Sequence, residues 1–149
     1  MSTCFSNLRS ERGAKGAAHW LGRMKEAATR DPSVAPTFRE YDHVLMAFAS
    51  VADRHPDLIA DARALFHEMG AAGVPPSDVT YAATIKAASR DARQEAWEEC
   101  RDLLRQAADG PGATRQALTG VFTAMTGSLG ASARDSAVAT VAVELLAHF

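Results

Sequence analysis

The sequence predicts an all-α chain built from tandem helical hairpins. Apolar residues recur at three- and four-residue steps almost from end to end, alanine supplies 31 of the 149 residues, and no segment alternates apolar with polar at period two. Side chains return to the same face about every 3.6 residues on a helix and every two on a strand, so the recurrence reads as helix. Alanine reinforces it, because it loses no side-chain entropy on entering a helix.

The elements follow in order. A short helix is expected around Phe5 and Leu8, then a longer one through Ala17, Leu21, Met24 and Ala28. Thr37-Phe38-Arg39-Glu40 is a capping box, in which hydroxyl and carboxylate satisfy the first free N–H groups of a helix. That helix carries Phe38, Tyr41, Val44, Leu45, Phe48 and Ala52. After Pro56 a second stripe runs through Leu58, Ala62, Leu65, Phe66 and Met69 and is expected to stop at Gly70. Gly73 and Pro75-Pro76 then forbid continuation. Ser77 or Asp78 caps a helix with Val79, Ala82, Ile85 and Ala88 on its apolar face. The next follows Ala96, Cys100, Leu103, Leu104 and Ala107 and ends at Gly110-Pro111-Gly112. Two more are expected, one opened by Thr114 and one by Asp135, the latter running through Val138, Val141, Leu145 and Phe149.

Composition narrows the function classes. A chain of 149 residues is one domain's length. Hydrophobic residues at 47% and charged residues at 23% exclude wholesale disorder. No apolar run reaches the length of a membrane-spanning helix. Net charge is −2, and it is unevenly placed: +3 over residues 1–40, −5 over 41–110, zero thereafter. An acidic middle argues against non-specific binding to nucleic acid. Cys4 and Cys100 are too few and too far apart for a disulfide framework or a thiolate zinc site.

The hairpins repeat. Tyr41 and Tyr81 are 40 residues apart, each five residues after a proline, Pro36 and Pro76. Ala17, Leu21 and Met24 align with Ala62, Phe66 and Met69, and more weakly with Ala96, Cys100 and Leu103. Hairpins of this period stack into a solenoid, since none can bury its apolar face alone. The run from Ala62 to Tyr81, with Leu65-Phe66-His67-Glu68-Met69, Gly73-Val74-Pro75-Pro76 and Thr80-Tyr81, resembles the junction between two pentatricopeptide repeats. The resemblance implies a right-handed α-solenoid of about four units, approximately residues 2–37, 38–77, 78–113 and 114–149, in a single domain. It is specific at the junction of the middle units, whereas the flanks are also compatible with tetratricopeptide-like hairpins.

Members of that family usually bind single-stranded RNA in mitochondria or plastids, one base per repeat. The resemblance places the base-reading positions at Asp42 with Ser77, and at Ala82 with approximately Ala113. Ala82 has no polar group for a base edge, and Asp42 brings negative charge where phosphates require positive. Only Arg39, Lys86 and Arg90 supply cations on the first helices of these units. Three or four repeats would also read too few bases to select a transcript. The reading favoured here is a non-enzymatic scaffold or adaptor, a structural subunit of an organellar assembly with other protein subunits as partners. A single-stranded RNA-binding module is the alternative. Localisation, mitochondrion or plastid, rests on the resemblance alone.

No catalytic, metal or cofactor site is expected. His19, His43, His55, His67 and His148 show no metal-ligand spacing with a carboxylate helper, and Gly127-Ser128-Leu129-Gly130 is not a nucleophile elbow. Cys100 reads as a small core residue. Glu95, Glu98, Glu99 and Asp102 read as a solvated acidic face, and Arg9, Arg12, Lys15, Arg23 and Lys25 as a solvated basic one. Trp20 and Trp97 are expected in the core, with an interface anchor as the other reading. The last helix is apolar around much of its circumference, which points to Val143, Leu146 and Phe149 as partner contacts.

Overall fold

A computed structural model describes residues 10–91, 95–110 and 119 of the chain, the side chains of 95–97 excepted. Every regular element among the described residues is helical: α1 (Glu11–Ala28), a 3-10 turn (Pro32–Val34), α2 (Phe38–Val51), α3 (Asp57–Ala71), α4 (Asp78–Ala88) and α5 (Glu95–Asp109). The all-α expectation holds over these residues. The helices expected near Phe5, after Thr114 and after Asp135 lie outside them.

The starts are set by side-chain caps. Ser10 Oγ accepts from Gly13 N at 3.1 Å and opens α1. At α2 the Glu40 carboxylate accepts from Thr37 N at 2.8 Å, and the Thr37 hydroxyl from Arg39 N at 3.3 Å. Ser77 opens α4 in the same reciprocal manner: its hydroxyl accepts from Thr80 N at 3.1 Å, and Thr80 Oγ1 accepts from Ser77 N at 2.8 Å. Each such cap is worth about 1 kcal/mol.

The end of α3 differs from expectation. The helix passes through Gly70 and closes at Gly73, the only described residue with positive φ (73°). Gly73 N donates to Gly70 O at 3.0 Å and Val74 N to Met69 O at 3.1 Å, a Schellman closure. The stop requires left-handed backbone, and Gly73 rather than Gly70 adopts it.

Consecutive helices pack on each other, and α2 also packs on α4. Two apolar clusters result. The first gathers Leu21, Tyr41, Leu45, Phe48, Leu58, Ala62 and Met69 and takes Ala83 and Ala87 from α4. The second gathers Ile85, Ala88, Cys100, Leu103, Leu104 and Ala107, with Phe66 and Tyr81 at its margin. Helix α4 therefore lies between two clusters and is buried on both sides. Fully burying one aliphatic or aromatic side chain stabilises by about 1.5–3 kcal/mol, so these clusters carry the fold.

The apolar face expected for α4 is corrected by this placement. Val79 is exposed and Ala82 half-buried, while Thr80, Ala83, Thr84 and Ala87 are buried beside Ile85 and Ala88. Both threonines can be buried because their hydroxyls have partners. Thr84 Oγ1 donates to Thr80 O at 2.8 Å, and Thr80 Oγ1 donates to Asp42 of α2. Phe66 is half-buried, its ring 5.6 Å from that of Tyr81.

Candidate functional site

Of the two pairs that the resemblance places as base readers, Asp42 and Ser77 meet in the structure. Asp42, on α2, is 8% exposed. Its Oδ2 accepts from Ser77 Oγ at 2.7 Å and its Oδ1 from Thr80 Oγ1. Ser77 and Thr80 are themselves the cap of α4, so one carboxylate is held at that helix's N-terminus, where negative charge is favourable. The tie joins α2 to the start of α4. Chemically, both carboxylate oxygens and the Ser77 hydroxyl proton are engaged inside the protein.

Around this tie the surface is mixed. Phe38, Asp42 and Met46 are four residues apart on α2 and share one face, with Phe38 and Met46 exposed, the latter 52%. Val79, next to Thr80, is also exposed. Ala82 and Lys86 are half-buried and Arg90 is exposed. Arg39 reaches back over the Phe38 ring, 5.9 Å from its centroid.

A second polar centre is built on α3. The half-buried Arg63 guanidinium donates from Nε to Glu99 Oε2 at 2.6 Å and from Nη1 to Asp91 Oδ2 at 3.0 Å. It ties α3 to α5 and to the turn after α4. Glu99 is thereby removed from the acidic face read from the sequence, whereas Glu98 and Asp102 remain exposed. Lys25 of α1 pairs with Glu68 of α3 and stands 5.4 Å from the Tyr41 ring centroid, so one cation closes three helices together.

Cys100 is fully buried, its Sγ 3.8 Å from Ile85 O. Burial pushes its thiol up to about 12, with the neighbouring Glu99 carboxylate adding to the effect. A thiol so disposed packs and does not react. Among the described residues no cluster of His, Cys, Asp and Glu has the arrangement of a metal site. No described helix is long and apolar enough to cross a membrane.

No protein-family model, curated protein or solved structure matches this chain. What it does is read from its own residues.

Trp20 departs from the expectation of a core residue: it stands 71% exposed on α1. The reason is register. Ala14 and Leu21 face the core, and Trp20, one residue before Leu21, is turned well away from it. The side chain of Trp97, and Val143, Leu146, Phe149 and Ala113, lie outside the described residues. Sequence reasoning missed Thr80 and Arg63. Thr80 was legible as the third residue after the Ser77 cap. Arg63 carried no signal, because its partners are 28 and 36 residues away.

Proposed function

We propose that the chain is a non-enzymatic helical-repeat scaffold or adaptor of pentatricopeptide-like character, serving as a small structural subunit of an organellar multiprotein assembly in mitochondrion or plastid. In this reading the hairpins continue as a right-handed solenoid. The observation that carries it is the Asp42–Ser77–Thr80 tie. The positions that would read a base in an RNA-binding member are here bonded to each other and hold two helices together. At the next unit the corresponding position is Ala82, which has no polar atom to offer. Phe38, Met46 and Val79 expose apolar surface on the same pair of helices, chemistry better suited to a protein than to a phosphate backbone.

The alternative, a single-stranded RNA-binding module, draws on Lys86 of α4 and on Arg90, which lies in the turn after α4 and not, as expected, on the helix. Native purification of the tagged chain, with mass spectrometry for proteins and parallel detection of nucleic acid, separates the two. Stoichiometric protein companions that survive ribonuclease treatment are the expected result. Companions lost with the RNA, or RNA alone, would overturn the scaffold reading.

A further inference from the structure

Arg12, Gly16, Trp20, Arg23 and Ala27 follow one another at three- and four-residue steps along α1, with His19 beside Trp20, and all six are exposed. They make one outward stripe, opposite the side that sends Ala14 and Leu21 into the core. Its centre is an indole standing in water. Its cations are poorly satisfied: Arg12 has no ion-pair partner among the described residues, and Arg23 has only Glu26, at 3.9 Å with both side chains well exposed. Lys15, beside the stripe, is by contrast paired with Glu11 at 2.5 Å.

We propose that this stripe docks an acidic helical segment of a partner protein, with Trp20 as the apolar anchor and Arg12 and Arg23 as the groups that take its carboxylates. The proposal rests on the scaffold reading for its premise that the partner is a protein. Charge complementarity sets the chemistry, since two exposed guanidinium groups, Arg12 without an ion-pair partner among the described residues and Arg23 with only a long contact to Glu26, stand on either side of the indole along α1 and favour carboxylates in bidentate pairs. Spacing sets the shape. Arg12 and Arg23 are eleven residues apart, about 16 Å along a helix, or roughly three turns. A partner helix of that length presents carboxylates at both ends of one face with an apolar residue between. Gly16 makes room for that residue: it lies one turn before Trp20, and a Cβ placed there meets nothing within 4 Å. Tryptophan and arginine are also the residues that most often dominate binding energy at protein interfaces. A nucleic-acid strand fits less well. It needs successive stacking aromatics, and Trp20 is the only Phe, Tyr or Trp of α1.

The test uses the full chain and two probes: a labelled synthetic amphipathic helix with glutamates flanking leucines on one face, and oligouridylate of similar length. Binding is followed by fluorescence anisotropy at low and physiological salt. The expected result is saturable, salt-sensitive binding of the acidic helix. Trp20→Ala should weaken it roughly thirtyfold. Arg12→Glu with Arg23→Glu should weaken it roughly tenfold, with helical circular dichroism unchanged in each variant. Arg39→Glu on α2 should leave it unaltered. No binding of the acidic helix, or binding indifferent to Trp20 and both arginines, overturns the proposal. So does tighter binding of oligouridylate through the same residues, or Trp20-dependent self-association of the chain. The two readings fail separately. If native purification yields RNA alone while the peptide still binds at Trp20, the scaffold reading falls and the docking surface stands. If the Trp20→Ala chain binds no peptide but keeps every native protein companion, and the wild type also fails to bind it, the reverse holds.

Discussion

Asp42 shows how one residue can change meaning between sequence and structure. On the sequence it is a negative charge at a position where the family resemblance implies a base reader. In the structure it accepts hydrogen bonds from Ser77 and Thr80, and removing it leaves both hydroxyls without that acceptor. Asp42→Ala should therefore cost about 1–3 kcal/mol, and Asp42→Asn less, because an amide oxygen can still accept one bond. Urea unfolding checks this as a lower midpoint at an unchanged slope. Cys100 provides a second residue-scale expectation. Its folded thiol is raised to about 12 from an ordinary value of 9.0, so the native state keeps a proton that the unfolded state has released. The associated stability is complete below about pH 9 and is lost as pH rises toward 12, by at most about 1.4 kcal/mol per pH unit. Iodoacetamide at neutral pH should leave Cys100 unmodified in the folded chain and alkylate it only after unfolding.

At the scale of elements, α3 and α4 are instructive in opposite ways. The end of α3 was marked by two glycines, and only geometry says which one closes the helix. Gly73→Ala should destabilise by about 1–2 kcal/mol, because its backbone is left-handed. Gly70→Ala should stabilise by about 0.5–1 kcal/mol, because Gly70 is helical and an added Cβ meets open space. Thermal unfolding of the two variants should move in opposite directions. Helix α4 was legible as a helix and misleading as a face. Its alanines and threonines are small on nearly every side, so their periodicity carries little direction, and its burial is decided by the neighbours α2, α3 and α5. The capping boxes at Thr37 and Ser77 are local, joining residues three apart, and for that reason the starts of α2 and α4 were legible.

For the whole molecule, Arg63 is the test of how the α4–α5 pair is fastened to the rest. Arg63→Met removes the guanidinium that Asp91 and Glu99 share and with it two half-buried ion pairs. We expect a loss of about 1–3 kcal/mol, less than for a fully buried pair because water still reaches the site. The charge balance bears on partners at the same scale. With net charge −2 and few cations on α2 and α4, RNA affinity of the isolated chain should be weak. Its salt dependence should be shallow, at about −0.7 in log–log slope for each phosphate neutralised. Nanomolar, sequence-selective binding at physiological salt would refute the scaffold reading.

Helix identity, the caps and the apolar stripes of α3 and α5 were determined by the sequence itself, because each depends on residues within one or two turns of one another. Three things were decided only by tertiary structure. Thr80 could be a core residue only once Asp42, on another helix, supplied an acceptor for its hydroxyl. Glu99 left the acidic surface only because Arg63 reaches it from another helix. Trp20 stood in solvent because α1 turned Leu21 inward instead. In each case the deciding partner or packing surface lies on another element or in another turn. Local propensity carries no information about such pairings, whereas the cost of burying an unsatisfied polar group enforces them.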